Sequence, residues 1–220
     1  MKKTLFFAIC LLIAGSVSAQ RRYYHSPRGG GYRDDADGFY TPKIGVEVGA
    51  NVSNQISSNY DNYSTGSIAG LNAGLTFDLP IIYPFSFAPE VLYSQKGYEA
   101  TTADGIFTQR THFIDVPLLA KFRVGPVFNF YIGPQLSYLI STTNTYDNGF
   151  TVSQEHYYED NNGHKSYLDG VLGISFDLGR YVDLHARYTV DLNKTDYNGY
   201  TYVPNYRNQV WQFGIGFRLN

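Results

Sequence analysis

Two histidines in strand-like parts of the sequence, His112 and His185, are the residues best suited to general-base chemistry. Acyl transfer by a nucleophilic serine needs a histidine within reach, with a carboxylate to orient the imidazole. His185 lies beside Asp183 and Arg187 on the polar side of an alternating segment, which favours a histidine held by ion pairs. His112 has no serine and acid at matching depth. The sequence therefore predicts no catalytic residues and no enzymatic activity.

The segment before Lys165 contains residue types that ligate metals. Residues 160–163 (DNNG) resemble part of a calcium loop, but the alternating acidic ligands and the closing glutamate of that motif are missing. A plain turn is the better interpretation. His156 and His164 could share a metal ion, although loop histidines at such a spacing usually do not. We expect neither a metal site nor a bound cofactor.

The N-terminal residues have the layout of a cleavable secretory signal. Lys2 and Lys3 precede an apolar run over residues 5–15, and small residues follow up to Ala19, as signal peptides require. The run is too short to span a bilayer as a helix. We expect residues 1–19 to be removed, and with them Cys10, the single cysteine. The mature chain can then form no disulfide and no thiolate metal site.

Residues 20–41 mix glycine, proline and both charge signs without apolar periodicity, which predicts a flexible extension on the periplasmic side. Removal of Lys2 and Lys3 would shift the formal net charge from −2 to about −4. A nucleic-acid partner is improbable, because binding phosphates needs a basic excess.

From Pro42 onward the hydrophobic pattern has a period of two, which is typical of strands whose faces meet different surroundings. In the first run Ile44, Val46 and Val48 alternate with Gly45 and Glu47. Tilted strands that cross a membrane need about 9 to 11 residues. Eight runs near or above this length occur, at about residues 43–52, 67–78, 85–98, 108–122, 127–140, 166–178, 182–192 and 209–219.

The lengths of the connections also alternate. Those after runs two, four and six are tight, whereas those after runs one, three, five and seven are longer and polar. In an up-and-down barrel alternate connections share a rim, so the pattern predicts one short-turn rim and one long-loop rim. We therefore predict that residues 42–220 form an all-β, eight-stranded antiparallel up-and-down transmembrane barrel. Its place would be the bacterial outer membrane, with both termini periplasmic.

Three features favour a lipid-facing apolar surface over a soluble, lipocalin-like barrel. The polar face is rich in glycine, which fits the crowded interior of a narrow barrel. The apolar face carries almost no charge, as lipid contact demands. Aromatic residues on that face lie near the strand ends, where bilayer interfaces would be. These predicted girdles comprise Phe85, Phe122, Phe128, Tyr181 and Phe217 on the short-turn side, and Tyr93, Tyr138, Tyr188 and Trp211 on the other.

The opposite parity directs charged residues into the barrel, where they persist only when paired and hydrogen-bonded. We predict a salt-bridged plug in place of an open pore. Its principal members are Glu47, Glu90, Asp115, Lys121, Asp183, His185, Arg187 and Arg218, together with Asp78, Lys96, Asp169, Asp177 and Asp191. Pro89, Pro117 and Pro134 fall inside these runs. Because proline lacks a ladder donor, they predict β-bulges.

The most specific sequence motifs lie in the central third of the chain. They are FAPEVLYSQKG at residues 87–97, FIDVPLLAKF at 113–122 and YIGP at 131–134. They resemble the PorT-like outer-membrane β-barrel proteins. The likeness in pattern covers roughly the whole mature barrel. It implies this fold and membrane address, and it implies no single activity, because such families are defined by architecture.

The long connections are rich in Tyr, Asn, Ser and Asp. Tyrosine gives a large amphipathic contact area at low entropic cost, so these loops are candidates for binding a protein or glycan, with merely solvated loops as the alternative. The candidate residues are Tyr146, Tyr157, Tyr158, Tyr200 and Tyr202. Three functions stay open. The leading one is a non-enzymatic scaffold, surface-binding protein or accessory of an envelope machine; the others are a narrow, porin-like solute channel and a lipid A-modifying enzyme.

Overall fold

The computed structural model describes residues 40–56, 64–102, 105–147, 149–158, 165–192 and 207–219. Within these ranges no helix is long and apolar enough to span a membrane. The predicted signal peptide and most of the predicted extension lie outside the described residues. The described strands are β1 (Lys43–Ile56), β2 (Ser64–Ile82), β3 (Phe85–Thr102), β4 (Gly105–Val124), β5 (Phe128–Asp147), β6 (Val152–Tyr157), β7 (Ser166–Asp177), β8 (Val182–Asp191) and β9 (Arg207–Arg218).

Eight of these strands close into a ring in which every neighbouring pair is antiparallel. The order is β1, β2, β3, β4, β5, β7, β8 and β9, and β9 pairs with β1 to complete the circle. Closure gives every strand of the ring two paired neighbours, so the ring has no open edge whose backbone groups hydrocarbon would leave without hydrogen bonds. The predicted all-β, eight-stranded antiparallel barrel is confirmed.

A ninth strand, β6, lies outside the ring and was not predicted. It pairs with the upper part of β5, from Thr142↔Tyr157 to Asp147↔Val152, directly above the stretch where β5 pairs with β7. The segment 142–165, interpreted from the sequence as a loop, is therefore partly a hairpin. The error has a physical reason, because the residues of β6 are polar or exposed on both faces and show no alternation.

Strands β3 and β4 also continue further than the sequence predicts. Their ladder runs from Phe85↔Phe122 up to Thr102↔Gly105. The third connection, predicted to be long, therefore comprises only residues 103–104. We call the end of the barrel with the connections at residues 83–84, 125–127 and 178–181 the short-turn rim. The opposite end is the long-connection rim.

The predicted bulges at Pro89, Pro117 and Pro134 are wrong. The register on either side of each proline is constant. Each proline pairs with one neighbouring strand (Pro89↔Leu118, Pro117↔Gln135 and Pro134↔Gly170), whereas the ladder with its other neighbour omits the pair that would contain it. Proline is thus accommodated by missing hydrogen bonds and not by an extra residue. The actual register shifts lie between Ser67 and Asn72, between Pro80 and Ile82, and between His112 and Phe113.

Burial follows the predicted parity along every strand of the ring. Glu47 is 5% exposed and its neighbour Val48 is 52% exposed. Large apolar side chains such as Leu75, Ile132 and Leu172 face outward, while polar side chains fill the interior. We call this interior the bore.

Candidate functional site

The centre of the bore holds an arginine between two carboxylates that come from distant strands. Arg187 of β8 donates from Nη2 to Glu47 Oε2 at 2.8 Å and from Nη1 to Glu90 Oε2 at 2.5 Å. Its guanidinium carbon lies 5.7 Å from the centre of the Tyr131 ring. Arg187 is 2% exposed. These contacts tie β1, β3, β5 and β8 together across the bore.

His185 extends this central cluster. Its Nε2 lies 3.7 Å from Glu47 Oε2, and its Nδ1 lies 3.5 Å from Asp183 Oδ1. Gly214 of β9 leaves room for the ring, since a Cβ there would lie 2.4 Å from Nε2. The histidine is therefore enclosed by carboxylates and backbone, as the alternation predicts.

A second group, the upper cluster, surrounds Lys96 nearer the long-connection rim. Its Nζ lies 3.0 Å from Asp115 Oδ2 and 3.5 Å from Asp169 Oδ2, and it donates to Ser137 Oγ at 3.2 Å. Gln135 donates to Asp169 Oδ2 at 2.9 Å. The Phe113 ring centre is 4.7 Å from the ammonium. One cation is thus held by three strands.

A third group, the rim cluster, lies at the short-turn rim. Lys121 Nζ is 3.0 Å from Asp78 Oδ2. Arg218 contacts Asp177, and it lies 3.2 Å from Asp183 Oδ2. The structure therefore distributes the sequence-predicted charges over three levels of the bore and does not gather them into one site.

Uncharged side chains also fill the bore, and the sequence analysis did not identify them. Asn72 donates to Asn51 Oδ1 at 2.5 Å, while Asn51 donates to Ser94 Oγ at 2.9 Å and to the carbonyl of Gln95 at 2.8 Å. Gln212 is 1% exposed on β9. The period-two parity that places charges in the bore also places these amides there.

Little space is left between the central and rim clusters. A cavity of about 60 Å³ lies there, bounded by Glu47, Asp183 and His185 on one side and Lys121 and Arg218 on another. A single water needs about 10–15 Å³ on this measure, so the space fits a few waters.

The predicted girdle residues lie on the outward surface. Trp211 packs against Tyr188, with ring centres 5.0 Å apart, and Phe128 packs against Phe176 at 5.2 Å. Tyr93 and Tyr138 both pair with Ile114, so they lie at one level. Phe85, Phe122, Tyr181 and Phe217 lie near the short-turn rim.

The candidate binding tyrosines have different environments. Tyr158 is 71% exposed. Tyr146, predicted to be a loop residue, belongs to β5 and is half-buried, because that strand continues above the predicted run. Tyr157 belongs to β6. Tyr200 and Tyr202 lie outside the described residues.

The other two histidines of the described ranges each contact a hydroxyl group. His112 Nδ1 lies 2.6 Å from Tyr93 Oη, and His156 Nδ1 lies 2.9 Å from Thr143 Oγ1. In the part of the chain that the structure describes, no group of three or more His, Cys, Asp or Glu residues is arranged to hold a metal ion. His164 and residues 160–163 lie outside that part.

Comparison with known proteins gives one family match. The family model described as outer membrane protein beta-barrel domain matches residues 40–197, which covers β1 to β8. No curated protein matches the chain.

Solved structures of similar fold include three bacterial outer-membrane proteins. Ail, the attachment invasion locus protein of Yersinia pestis, solved with the heparin analogue sucrose octasulfate, is 13% identical with a TM-score of 0.48, covering 81% of this chain and 99% of that one. Neisserial surface protein A is 21% identical with a TM-score of 0.47, covering 79% and 96%. The Escherichia coli outer membrane protease OmpT is 7% identical with a TM-score of 0.42, covering 81% and 96%.

Proposed function

The chain belongs to the outer membrane protein β-barrel domain family, and from this premise we propose that it is a closed, non-enzymatic barrel that serves as a scaffold or surface-binding component of the cell envelope. The long-connection rim would face the cell exterior and both termini the periplasm. We also propose that this chain is related to the PorT-like proteins, on the basis of the sequence motifs at residues 87–97, 113–122 and 131–134.

The observation that carries the proposal is the filling of the bore. Arg187 bridges Glu47 and Glu90 across it, and Lys96 bridges Asp115 and Asp169 at a second level. Separating either cation from its partners would leave buried carboxylates uncompensated. The ion pairs therefore oppose any widening of the bore. Filling of the bore at two levels argues against the porin-like alternative.

Planar-bilayer recording tests this directly. The folded protein, verified by its heat-modifiable migration on a gel, should produce no stepwise conductance. A variant with a smaller plug, Tyr131→Ala/Arg187→Ala/Glu90→Ala, should produce steps under the same conditions and so prove that insertion is detected. Regular steps from the wild-type protein would contradict the closed barrel.

The environments of the two strand histidines support the non-enzymatic part of the proposal. His185 is enclosed by Glu47 and Asp183, and His112 is bound by the phenol of Tyr93. Neither position offers the serine, histidine and acid arrangement of acyl transfer. Lipid A mass profiles of cells with and without the protein test the remaining enzymatic alternative, and identical profiles are expected.

The binding part of the proposal rests on the upper hairpins. Phe150 and Tyr158 flank β6 and are 99% and 71% exposed, and aromatic side chains supply a large contact area at a low entropic cost. Replacing residues 143–164 by a short turn removes β6 without altering the pairing of β5 with β7. Loss of adhesion or of a glycan-array signal is expected, and unchanged binding would contradict it.

A further inference from the structure

The outward surface of β3, β4 and β5 changes from aromatic to cationic within three rows of paired residues. From the aromatic level upward, the rows are Tyr93, Ile114 and Tyr138; Gln95, His112 and Ser141; and Gly97, Arg110, Thr143 and His156. Successive rows are about 7 Å apart along a strand. Arg110 therefore lies about 10 Å above the aromatic level in a barrel tilted by about 40°.

Arg110 is exposed, and the part of the chain that the structure describes offers it no anionic partner. Its guanidinium donates one long hydrogen bond, from Nη1 to the Ala69 carbonyl at 3.4 Å. Among the described residues no carboxylate lies within ion-pair distance of it. Glu99, further up β3 on the same face, lies over Gly66 of β2. Within the described ranges this cation is therefore uncompensated, and it lies above the aromatic level, on the side of the interface where lipid headgroups are found.

His112 supplies a second polar group beside this cation. Its ring stacks on Tyr93 with centres 5.9 Å apart and planes at 26°, and Nδ1 lies 2.6 Å from the phenol oxygen. When Tyr93 donates to Nδ1, the proton of the neutral imidazole lies on Nε2, which becomes a donor. His112 and Arg110 are two residues apart on the same face of β4, so both donors can meet one group.

We infer that Arg110 and His112 bind the phosphate headgroup of a lipid in the adjoining leaflet. The guanidinium matches phosphate oxygens in charge and geometry. The apolar rows below, including Ile114 and Tyr138, would contact the acyl chains of the same molecule. A free phosphate ion would use the two donors without the apolar rows. The inference goes beyond the proposed function, which concerns the bore and the long connections.

Native mass spectrometry of the folded full-length protein in detergent micelles tests the inference. The probes are dioleoylphosphatidic acid and dioleoylphosphatidylcholine, whose choline offsets the phosphate charge. Wild type should prefer phosphatidic acid, and Arg110→Gln should reduce that preference about fivefold, the usual effect of one basic residue at a lipid surface. Arg110→Lys should keep part of the preference, because it retains the charge and loses the bidentate geometry.

Two controls separate a site from a general effect of charge. Arg180 is exposed in the β7–β8 turn at the opposite rim, so Arg180→Gln changes the net charge equally and should leave the preference intact. Inorganic phosphate added as competitor should not displace the lipid. The inference is overturned if Arg110→Gln retains the wild-type preference, if Arg180→Gln lowers it equally, or if inorganic phosphate displaces the lipid, which would assign the site to free phosphate.

Discussion

The bore and the outward face of the barrel are built from the same strands, yet opposite rules govern them. Glu47 and Val48 are consecutive residues of β1, and the charged one is the buried one. In the bore a polar group is tolerated because another strand supplies its partner. On the outward face an apolar group needs no partner, because lipid replaces water as the solvent. Stability therefore depends on specific pairs inside and on the absence of charge outside.

The sharpest way to break the interior rule is to remove the shared cation of the central cluster. Arg187→Met should lower the free energy of unfolding by about 3–5 kcal/mol, because Glu47 and Glu90 are left buried without compensation. Urea titration of the protein folded in lipid vesicles measures this change. The triple variant Glu47→Gln/Glu90→Gln/Arg187→Met should recover most of the loss. A triple variant as unstable as the single one would contradict the ion-pair explanation.

The exterior rule is tested by placing a charge on the outward face, where no other strand can supply a partner for it. Leu172 is 45% exposed at the middle of β7, and Leu172→Arg should cost about 2–4 kcal/mol in the same titration. Ile106 is equally exposed, at 43%, but lies far above the aromatic level on β4. Ile106→Arg should therefore cost about 0–1 kcal/mol. Equal costs at the two positions would place Leu172 outside the hydrocarbon layer.

Packing inside the bore is the subject of a third, smaller test. A Cβ added at Gly173 would lie 2.3 Å from the Tyr131 ring, which is itself packed against Ala88, Leu119 and Val171. Gly173→Ala should lower the free energy of unfolding by about 1–3 kcal/mol through overpacking. At Gly170 the nearest atom would be 3.4 Å away, so Gly170→Ala is the matched control and should be nearly neutral. Stabilisation by Gly173→Ala would show that the ring moves aside freely.

The smallest expected effect concerns the hydrogen bond between Tyr93 and His112 on the outward face. Tyr93→Phe removes the bond to His112 and should cost less than about 1 kcal/mol, since the site is exposed. Tyr138 lies in the same row, and among the described residues its hydroxyl group has no hydrogen-bond partner, so Tyr138→Phe should leave the free energy of unfolding unchanged. A larger cost at Tyr138 would contradict this assignment.

The barrel and its parity could be predicted from the sequence because one physical cause controls both. A membrane requires apolar residues at alternate positions over the full width of the hydrocarbon, so each spanning segment carries a long period-two pattern. Ile44, Leu75, Ile132 and Leu172 all face outward as predicted. The inward direction of the charged side chains could be predicted from the same parity, because successive residues of a strand point to opposite faces.

The parts that could not be predicted lie where this constraint is absent. Above the aromatic level both faces of β3, β4 and β5 can be polar, so the ends of these strands and the whole of β6 carry no alternation. The partners of each charged residue also could not be predicted from the sequence. Arg187 pairs with Glu47 and Glu90 on other strands and not with Asp183 on its own strand. Partner choice depends on strand stagger, which alternation does not encode.

Closure of the ring has a consequence for how the protein is made. β1 and β9, drawn from opposite ends of the described chain, pair from Gly45↔Arg218 to Ile56↔Arg207. Until β9 pairs with them, β1 and β8 each have an open edge, and hydrocarbon offers no hydrogen bonds to the backbone groups of that edge. Contacts of such long sequence separation form late and slowly. A nascent chain lacking its last strand should therefore stay out of the bilayer and depend on chaperones, and insertion should proceed as a single concerted event.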